Sequence, residues 1–579
     1  MATTVAEQLV NQLVAAGVRR IYGIVGDSLN PVVDAVRRTD GIDWVHVRHE
    51  EAAAFAAAAE ATVTGRLAVC AGSCGPGNLH LINGLYDANR SRVPVLAIAS
   101  HIPTGQIGTQ FFQETHPDRL FTEASVFSEM ISTGEQVPRV TRSAIQHALH
   151  APGVAVLTLP GDVADHEVPG GDDQLVVPPT APGRLVPAAA DVAALARAIN
   201  EAKKVTLFVG AGARGAREGV LELADLAAAP VGHSLRGKEV IQYDNPFDVG
   251  MTGLLGYGAC QDALDGADLL VLIGTDFPYS TFLPDVRTAQ IDDDARHLGR
   301  RTPVELPVHG DVAETMRLLV PQVHRKKNRR FLEQMLKKHE STMSKVVGAY
   351  TRRADKLRPI HPEYAAALLD EAAADDAVFT VDTGMDNVWA ARYITPNGRR
   401  RVIGSFLHGS MANALPHAIG AAFANPGRQV VAMVGDGGLS MLLGELITVR
   451  AANLPVKIVV FNNATLGMVK LEMIVEGLPD HATDSPPVDY RNVARAVGIP
   501  AVRVEDPADL RKALTDGLAR PGPALIDIVT DPNALSIPPS ISGEQIRGFA
   551  TAMTKQIFGG GAGEVVAMAR SNLRNIPRP

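Results

Sequence analysis

The sequence predicts an α/β protein of three tandem doubly wound parallel-sheet domains with a short C-terminal amphipathic tail. Three observations carry this expectation. At 579 residues the chain exceeds what one hydrophobic core organises, at a soft prior of roughly 150 residues per domain. Apolar, β-branched runs such as "LAVCAG", "VPVLAIAS" and "VAVLTLPGD" alternate with alanine-rich, helix-like segments, the pattern of parallel strands covered on both faces. The same style then recurs in two further blocks, "VTLFVGAGARGA" with "DLLVLIGTDFPY", and "AVFTVDTG" with "VVAMVGDGG", "VKIVVFNN" and "ALIDIVTD".

The first block spans residues 1–180 and ends in "HEVPGGDDQLVVPPTAPGRLVP", a Pro/Gly-rich linker. The second spans 190–325. Residues 326–360 connect it to the third and are densely charged, with Phe331, Leu332, Met335 and Leu336 at helical spacing, so they read as an exposed helix rather than a basic binding patch. The third block spans 361–531, and 532–579 form the tail.

Composition narrows the function classes. A hydrophobic share of 46% with 53 glycines and 38 prolines fits a loop-rich α/β protein and not a disordered chain or coiled coil. The net charge of −8 gives no reason to expect nucleic acid as a partner. No apolar run reaches the roughly 20 residues that span a bilayer, and Met1 to Val10 lacks the pattern of a signal peptide, so a cytoplasmic location is expected. Cys70, Cys74 and Cys260 are too few for a disulfide framework. Without a second pair, Cys70 and Cys74 read as small buried residues rather than a metal pair.

In doubly wound sheets, ligands bind beyond the carboxyl ends of the strands, where glycine turns free backbone N–H groups. The stretch "VVAMVGDGGLSMLLGELITVRAANLPVKIVVFNN" ends one apolar run on Gly435-Asp436-Gly437 and the next on Asn462-Asn463. Gly435 and Gly437 permit close approach of a phosphate, Asp436 offers a hard carboxylate and Asn463 an amide oxygen, a donor set for Mg2+ on a diphosphate. A lone GDG is a common turn; its spacing to the asparagine pair makes it informative.

That GDG…NN spacing resembles the signature of thiamine diphosphate enzymes, and the resemblance extends over nearly the whole chain. "HEEAAAFAAAAEA", "AGSCGPGN", "FFQETHP", "LRGKEVIQYDNPFDVGMTGLLG", "GTDFPY" and "SFLHGSMANALPHAIGA" resemble, in the same order, segments of bacterial pyruvate oxidases of the pyruvate:quinone oxidoreductase type. The resemblance implies a pyrimidine-binding first domain, a FAD-binding central domain and a diphosphate- and Mg-binding third domain. It further implies oxidative decarboxylation of pyruvate to acetate and CO2 through a hydroxyethyl-thiamine carbanion, with electrons passed to FAD and then to membrane quinone, since thiamine supplies an electron sink that no side chain can.

On these positions Glu50 matches the carboxylate that hydrogen-bonds the aminopyrimidine, although by itself it reads equally as a helix N-terminal carboxylate; Glu51 reads as structural. Asp382, Thr383, Gly384, His408 and Gly409 match positions near the cofactor. Met411 matches the apolar residue that bends it, and the Thr465 carbonyl completes the metal shell of Asp436 and Asn463. Gly26, Asp27, Ser28, Phe112 and Gln113 resemble the pyruvate loops, with Glu472 at the far wall; His116 reads as a loop cap. Gly210, Gly212, Arg236, Gly237, Lys238, Thr252, Gly253, Gly274, Thr275, Asp276, Asp292 and Asp311 resemble flavin-binding positions. Met468 stands where some relatives carry an aromatic residue between the cofactors.

Because Glu50 and the GDG site lie in different blocks, the family architecture completes each site across two subunits, implying a dimer and by family a homotetramer. The tail places Val565, Val566, Met568, Ala569, Leu573 and Ile576 on one helical arc, interrupted by Asn572 and flanked by Arg570 and Arg574. It reads as an interfacial helix that meets a lipid surface and membrane quinone at the inner face of the cell membrane, or as a helix docked on its own protein. Two competing readings stay open: an acetolactate-synthase-like carboligase with a non-redox FAD, and a non-catalytic, membrane-attached binding protein that kept the fold.

Overall fold

The computed structural model describes residues 3–169, 183–352 and 354–534, together with Val566, Met568, Arg570, Ser571, Asn572 and Arg574 of the tail. Residues 170–182 of the Pro/Gly-rich linker lie outside the described residues, as do Val565, Ala569, Leu573 and Ile576 of the tail arc.

Three sheets organise the chain. The first contains β1 (Arg20–Gly23), β2 (Asp43–His46), β3 (Ala68–Gly72), β4 (Val95–His101), β5 (Phe127–Met130) and β6 (Val154–Pro160), in the order β2-β1-β3-β4-β6-β5, all parallel. The second contains β7 (Val205–Val209), β8 (Val231–His233), β9 (Asp248–Met251), β10 (Tyr257–Gly258), β11 (Leu269–Ile273), β12 (Thr288–Asp292) and β13 (Leu306–His309), in the order β10-β9-β8-β7-β11-β12-β13. The third contains β14 (Val378–Val381), β15 (Arg401–Gly404), β16 (Val430–Gly435), β17 (Val456–Asn462), β18 (Ala501–Val504) and β19 (Ala524–Val529), in the order β15-β14-β16-β17-β19-β18.

Central strands such as β4, β6, β11 and β17 are buried along their whole length, which is why their sequences run apolar without alternation. The expected three parallel-sheet α/β domains are present, with one edge strand that departs from the pattern. The middle sheet is not wholly parallel, because β10 pairs antiparallel with β9. Five residues join these strands, too few for a parallel crossover, and Gly250, Gly253 and Gly258 at positive φ turn the chain back.

The first and third domains meet along two small-residue helices, Glu50–Thr64 and Ala414–Ala424. A Cβ added at Gly420 would stand 2.0 Å from the Ala56 carbonyl oxygen, so glycine lets these backbones touch. At the head of the seam, Glu445 Oε1 accepts from the backbone N–H groups of Arg48 (2.9 Å) and His49 (3.0 Å), fixing the approach to Glu50. The middle domain is tied to the third by the Lys238 ammonium, which donates to the Ala391 carbonyl at 2.6 Å. The charged helix Arg330–Lys345 turns Leu332 and Met335 inward and leaves most of its charge in solvent.

Candidate active site

The reversal of strand order locates each crevice: between β1 and β3 in the first domain, β7 and β11 in the second, and β14 and β16 in the third.

In the first domain, Glu50 opens the helix Glu50–Thr64, where backbone N–H groups and the helix dipole favour a carboxylate. It is 6% exposed, and its Oε2 lies 2.9 Å from His80 Nδ1. Gly77 brings the neighbouring helix close; a Cβ there would stand 3.1 Å from Glu50 Oε1 and 3.0 Å from Ser73 Oγ. His49 caps the helix by accepting from the Glu51 N–H, and burial lowers its pKa. Glu51 accepts from Asn83 at 2.6 Å, and Asn83 also reaches Ser410 (2.8 Å) and His408 (2.8 Å), a link into the third domain.

The pyruvate-loop residues converge on Ser73-Cys74-Gly75. Ser28 Oγ accepts from the Cys74 N–H at 3.1 Å, and Cys74 Sγ donates to Gln113 Oε1 at 3.3 Å. Gly26 packs against Ser73, and Gly75 against Gln113, which holds a left-handed φ of 63°. Asp27 and Phe112 are exposed, Phe112 at 77%. His116 stands at the N-cap of a short helix but makes no side-chain capping bond; its carbonyl does the capping.

The third domain carries the charge. Asp382 directly follows β14, and its Oδ1 accepts from the Thr383 N–H and Asn413 Nδ2 while its buried Oδ2 has no partner. Burial pushes its pKa up to about 7. Asp386, in the first turn of the helix Met385–Tyr393, is likewise buried with Oδ1 unpartnered; burial, then the charges of Asp382 and Asp436, raise it well above the usual range. Asp436 begins the helix after β16 and is raised by burial to about 6. The Asn463 N–H donates to Asp436 Oδ1 at 3.4 Å, Asn463 Oδ1 accepts from the Thr465 N–H at 3.1 Å, and Tyr490 holds the Asp436 carbonyl.

Buried carboxylates with unpartnered oxygens are costly unless a cation joins them. The oxygen donors of Asp436, Asn463 and Thr465 beside that cluster therefore fit Mg2+. The glycines are shaped by the same carboxylates. A Cβ at Gly435 would stand 2.9 Å from Asp386 Oδ2, one at Gly438 2.1 Å from Asp382 Oδ2, and one at Gly437 3.4 Å from Met411 Cε. Met411 thus lies over the GDG turn, while Gly384 and Gly409 face open space.

The middle crevice is made by backbone contact. Cβ atoms at Gly210 and Gly212 would strike Gly274 and Thr275, one at Gly237 would strike the Val209 carbonyl, and Gly274 itself has φ +58°. Half-buried Arg236 stands beside it and donates to the Ser91 carbonyl, while Asp292 ends β12 and faces His297 Nδ1 at 2.9 Å. A glycine crevice at the switch point with an arginine and a strand-end carboxylate fits a dinucleotide such as FAD. Other expected flavin positions are engaged within the protein. Asp276 pairs with Arg300 and Arg301, Asp311 caps the helix Val312–Leu319, Thr252 bonds Gln261, and Lys238 bridges to Ala391.

Glu472 is exposed, and burial followed by Glu476 raises its pKa. Among the described residues no hydrogen bond or ion pair joins Glu50, Ser28 or Gln113 to Asp436 or Asn463. Sequence reasoning missed Asp386, His80 and the Cys74–Gln113 contact. The one available clue was an acid in the first turn of a helix beginning "MDNVWAA".

In the tail, Asn572 is buried and donates to the Asn533 and Met568 carbonyls, and Ser571 Oγ donates to Asp531 at 2.5 Å. Ser571, beside the residue that interrupts the apolar arc, is the docking contact on the third domain. Among the described residues no helix is long and apolar enough to cross a membrane.

Comparison with known proteins agrees with this geometry. Residues 3–120 match the thiamine pyrophosphate enzyme N-terminal TPP binding domain, 192–319 the central domain and 382–528 the C-terminal TPP binding domain. A putative thiamine pyrophosphate-containing protein of Bacillus subtilis is 36% identical over 96% of this chain and 97% of its own length. A probable acetolactate synthase large subunit of Methanocaldococcus jannaschii is 30% identical (91% and 92%), and a pyruvate oxidase of Lactiplantibacillus plantarum is 29% identical (90% and 87%). The chain belongs to the thiamine pyrophosphate enzyme family, which among these relatives includes both pyruvate oxidase and acetolactate synthase.

Proposed function

We propose that this protein oxidatively decarboxylates pyruvate with water to acetate and CO2, delivering two electrons to FAD and then to a membrane quinone. The observation that carries the reading is the glycine crevice of the middle domain, closed by Gly210, Gly212 and Gly274 with Arg236 and Asp292 beside it, which fits a dinucleotide such as FAD. A flavin held in that crevice would take the two electrons that decarboxylation leaves behind. Bound thiamine diphosphate supplies the electron sink for decarboxylation. Asp436, Asn463 and the Thr465 carbonyl would hold Mg2+, and Met411 would shape the cofactor pocket. Glu50, held by His80 at 2.9 Å, would accept a hydrogen bond from the aminopyrimidine. Ser28, Gln113 and Phe112 receive pyruvate, and Glu472 bounds it.

Because Glu50 and Asp436 lie in different domains, a second copy completing each site, in a homotetramer at the inner face of the cell membrane, is the assembly we propose. There the tail leaves its dock on Asp531 and Asn533 to meet lipid and quinone. The acetolactate synthase relative, with identity as high as that of the oxidase, favours a second reading in which an idle FAD accompanies carboligation. Product analysis separates the two: with a quinone analogue present, one acetate per pyruvate supports oxidation, and one acetolactate per two pyruvates supports carboligation.

A further inference from the structure

We infer that His49, Glu50 and His80 form a binding site for a divalent cation of the zinc class, and that this ion and thiamine diphosphate exclude one another at Glu50. One donor atom from each of the three residues lies within 4.8 Å of the others, and among the described residues no other group of three or more His, Cys, Asp and Glu side chains does so. Two imidazoles and one carboxylate, with water in the fourth position, are a zinc donor set; Mg2+ prefers the oxygen-only set at Asp436.

The donors are held in place before any ion arrives. Glu445 fixes the His49 backbone N–H, and the His49 ring accepts from the Glu51 N–H and stacks on His80 with centroids 4.4 Å apart. Gly77, one turn before His80 on the helix Pro76–Ser91, sets the contact with Glu50. His80 is 44% exposed at its side chain, giving the ion an entry path and its water a place. Ligation through His80 Nδ1 replaces its hydrogen bond to Glu50 Oε2 and leaves the ring proton on Nε2. If His49 ligates through Nδ1, the cost is its one capping bond. An ion on Glu50 takes the oxygen that the aminopyrimidine requires, so zinc acts as an inhibitor competing with the cofactor rather than with pyruvate.

Calorimetric titration of zinc chloride into the full-length, thiamine-free protein in excess Mg2+ tests this. One zinc per chain is expected, with affinity about 10-fold or more weaker in each of His80→Ala and His49→Asn. X-ray absorption should report two imidazole nitrogens. Saturation with thiamine diphosphate should abolish the heat, and Asp436→Asn should leave zinc affinity unchanged in the thiamine-free protein, separating this site from the Mg2+ site. Unchanged affinity in both histidine variants, or zinc and thiamine diphosphate binding independently, would overturn the assignment. The readout uses no substrate, so its failure is distinguishable from failure of the reaction proposed above.

Discussion

The first and third domains share one strand order, edge strand, first strand, third, fourth, sixth, fifth, yet differ in what stands at the reversal point. In the first, the turns after β1 and β3 carry Gly26, Ser28 and Gly75, and one buried carboxylate, Glu50, enters from beyond β2. In the third, three buried carboxylates, Asp382, Asp386 and Asp436, crowd the equivalent point. The fold sets where a ligand sits in both; the side chains decide which end of it is held. A neutral ring with one proton to manage suits the first domain, and a metal-bound anion the third.

The comparison breaks most sharply at Glu50. Glu50→Gln should lower turnover about 100-fold or more while Mg2+-dependent cofactor binding persists, since the third domain holds the anion. Asp436→Asn should do the opposite, weakening cofactor binding about 10-fold or more, with activity recovering toward wild type at saturating Mg2+ and cofactor. Gly420→Ala probes the seam between the two domains: the added methyl meets the Ala56 backbone and should destabilise the chain by about 1 to 3 kcal/mol in urea unfolding.

The carboxylate cluster gives a pH dependence. Asp382 and Asp436 have folded values raised from 3.8 to about 7 and about 6, so the folded chain keeps protons that the unfolded chain releases. The metal-free protein should therefore lose stability as pH rises from about 4 to about 7, and Mg2+ with thiamine diphosphate should remove that loss. Asp386→Asn should lessen it, raising the metal-free melting temperature by about 2 to 4 °C near neutral pH. The smallest effect is expected in the tail. Asn572→Ala removes the donor to Asn533 and should increase binding to anionic vesicles about threefold, consistent with a docking bond of roughly 0.5 to 1 kcal/mol.

Much of this was legible in the sequence because glycine and acid at strand ends follow from backbone geometry. The third domain's GDG and asparagine pair, and Gly210 and Gly274 in the middle domain, are short-range features of one chain segment. Other features depend on segments far apart. His80 reaches Glu50 only because two helices cross at Gly77, and Cys74 meets Gln113 across 39 positions. The acidic flavin candidates after β11 and β13 looked alike in sequence, but Arg300 and Arg301 claim Asp276 and a helix N-terminus claims Asp311. Asn572 looked like a flaw in an amphipathic arc until its amide was placed on Asn533.

The central claim is that electrons leave pyruvate for a flavin held in the middle crevice. The most direct test is an anaerobic visible spectrum of the protein with Mg2+, thiamine diphosphate and FAD, taken before and after pyruvate is added. Bleaching of the flavin band, reversed by a quinone analogue, is the predicted result. A flavin band that persists while pyruvate is consumed would contradict it.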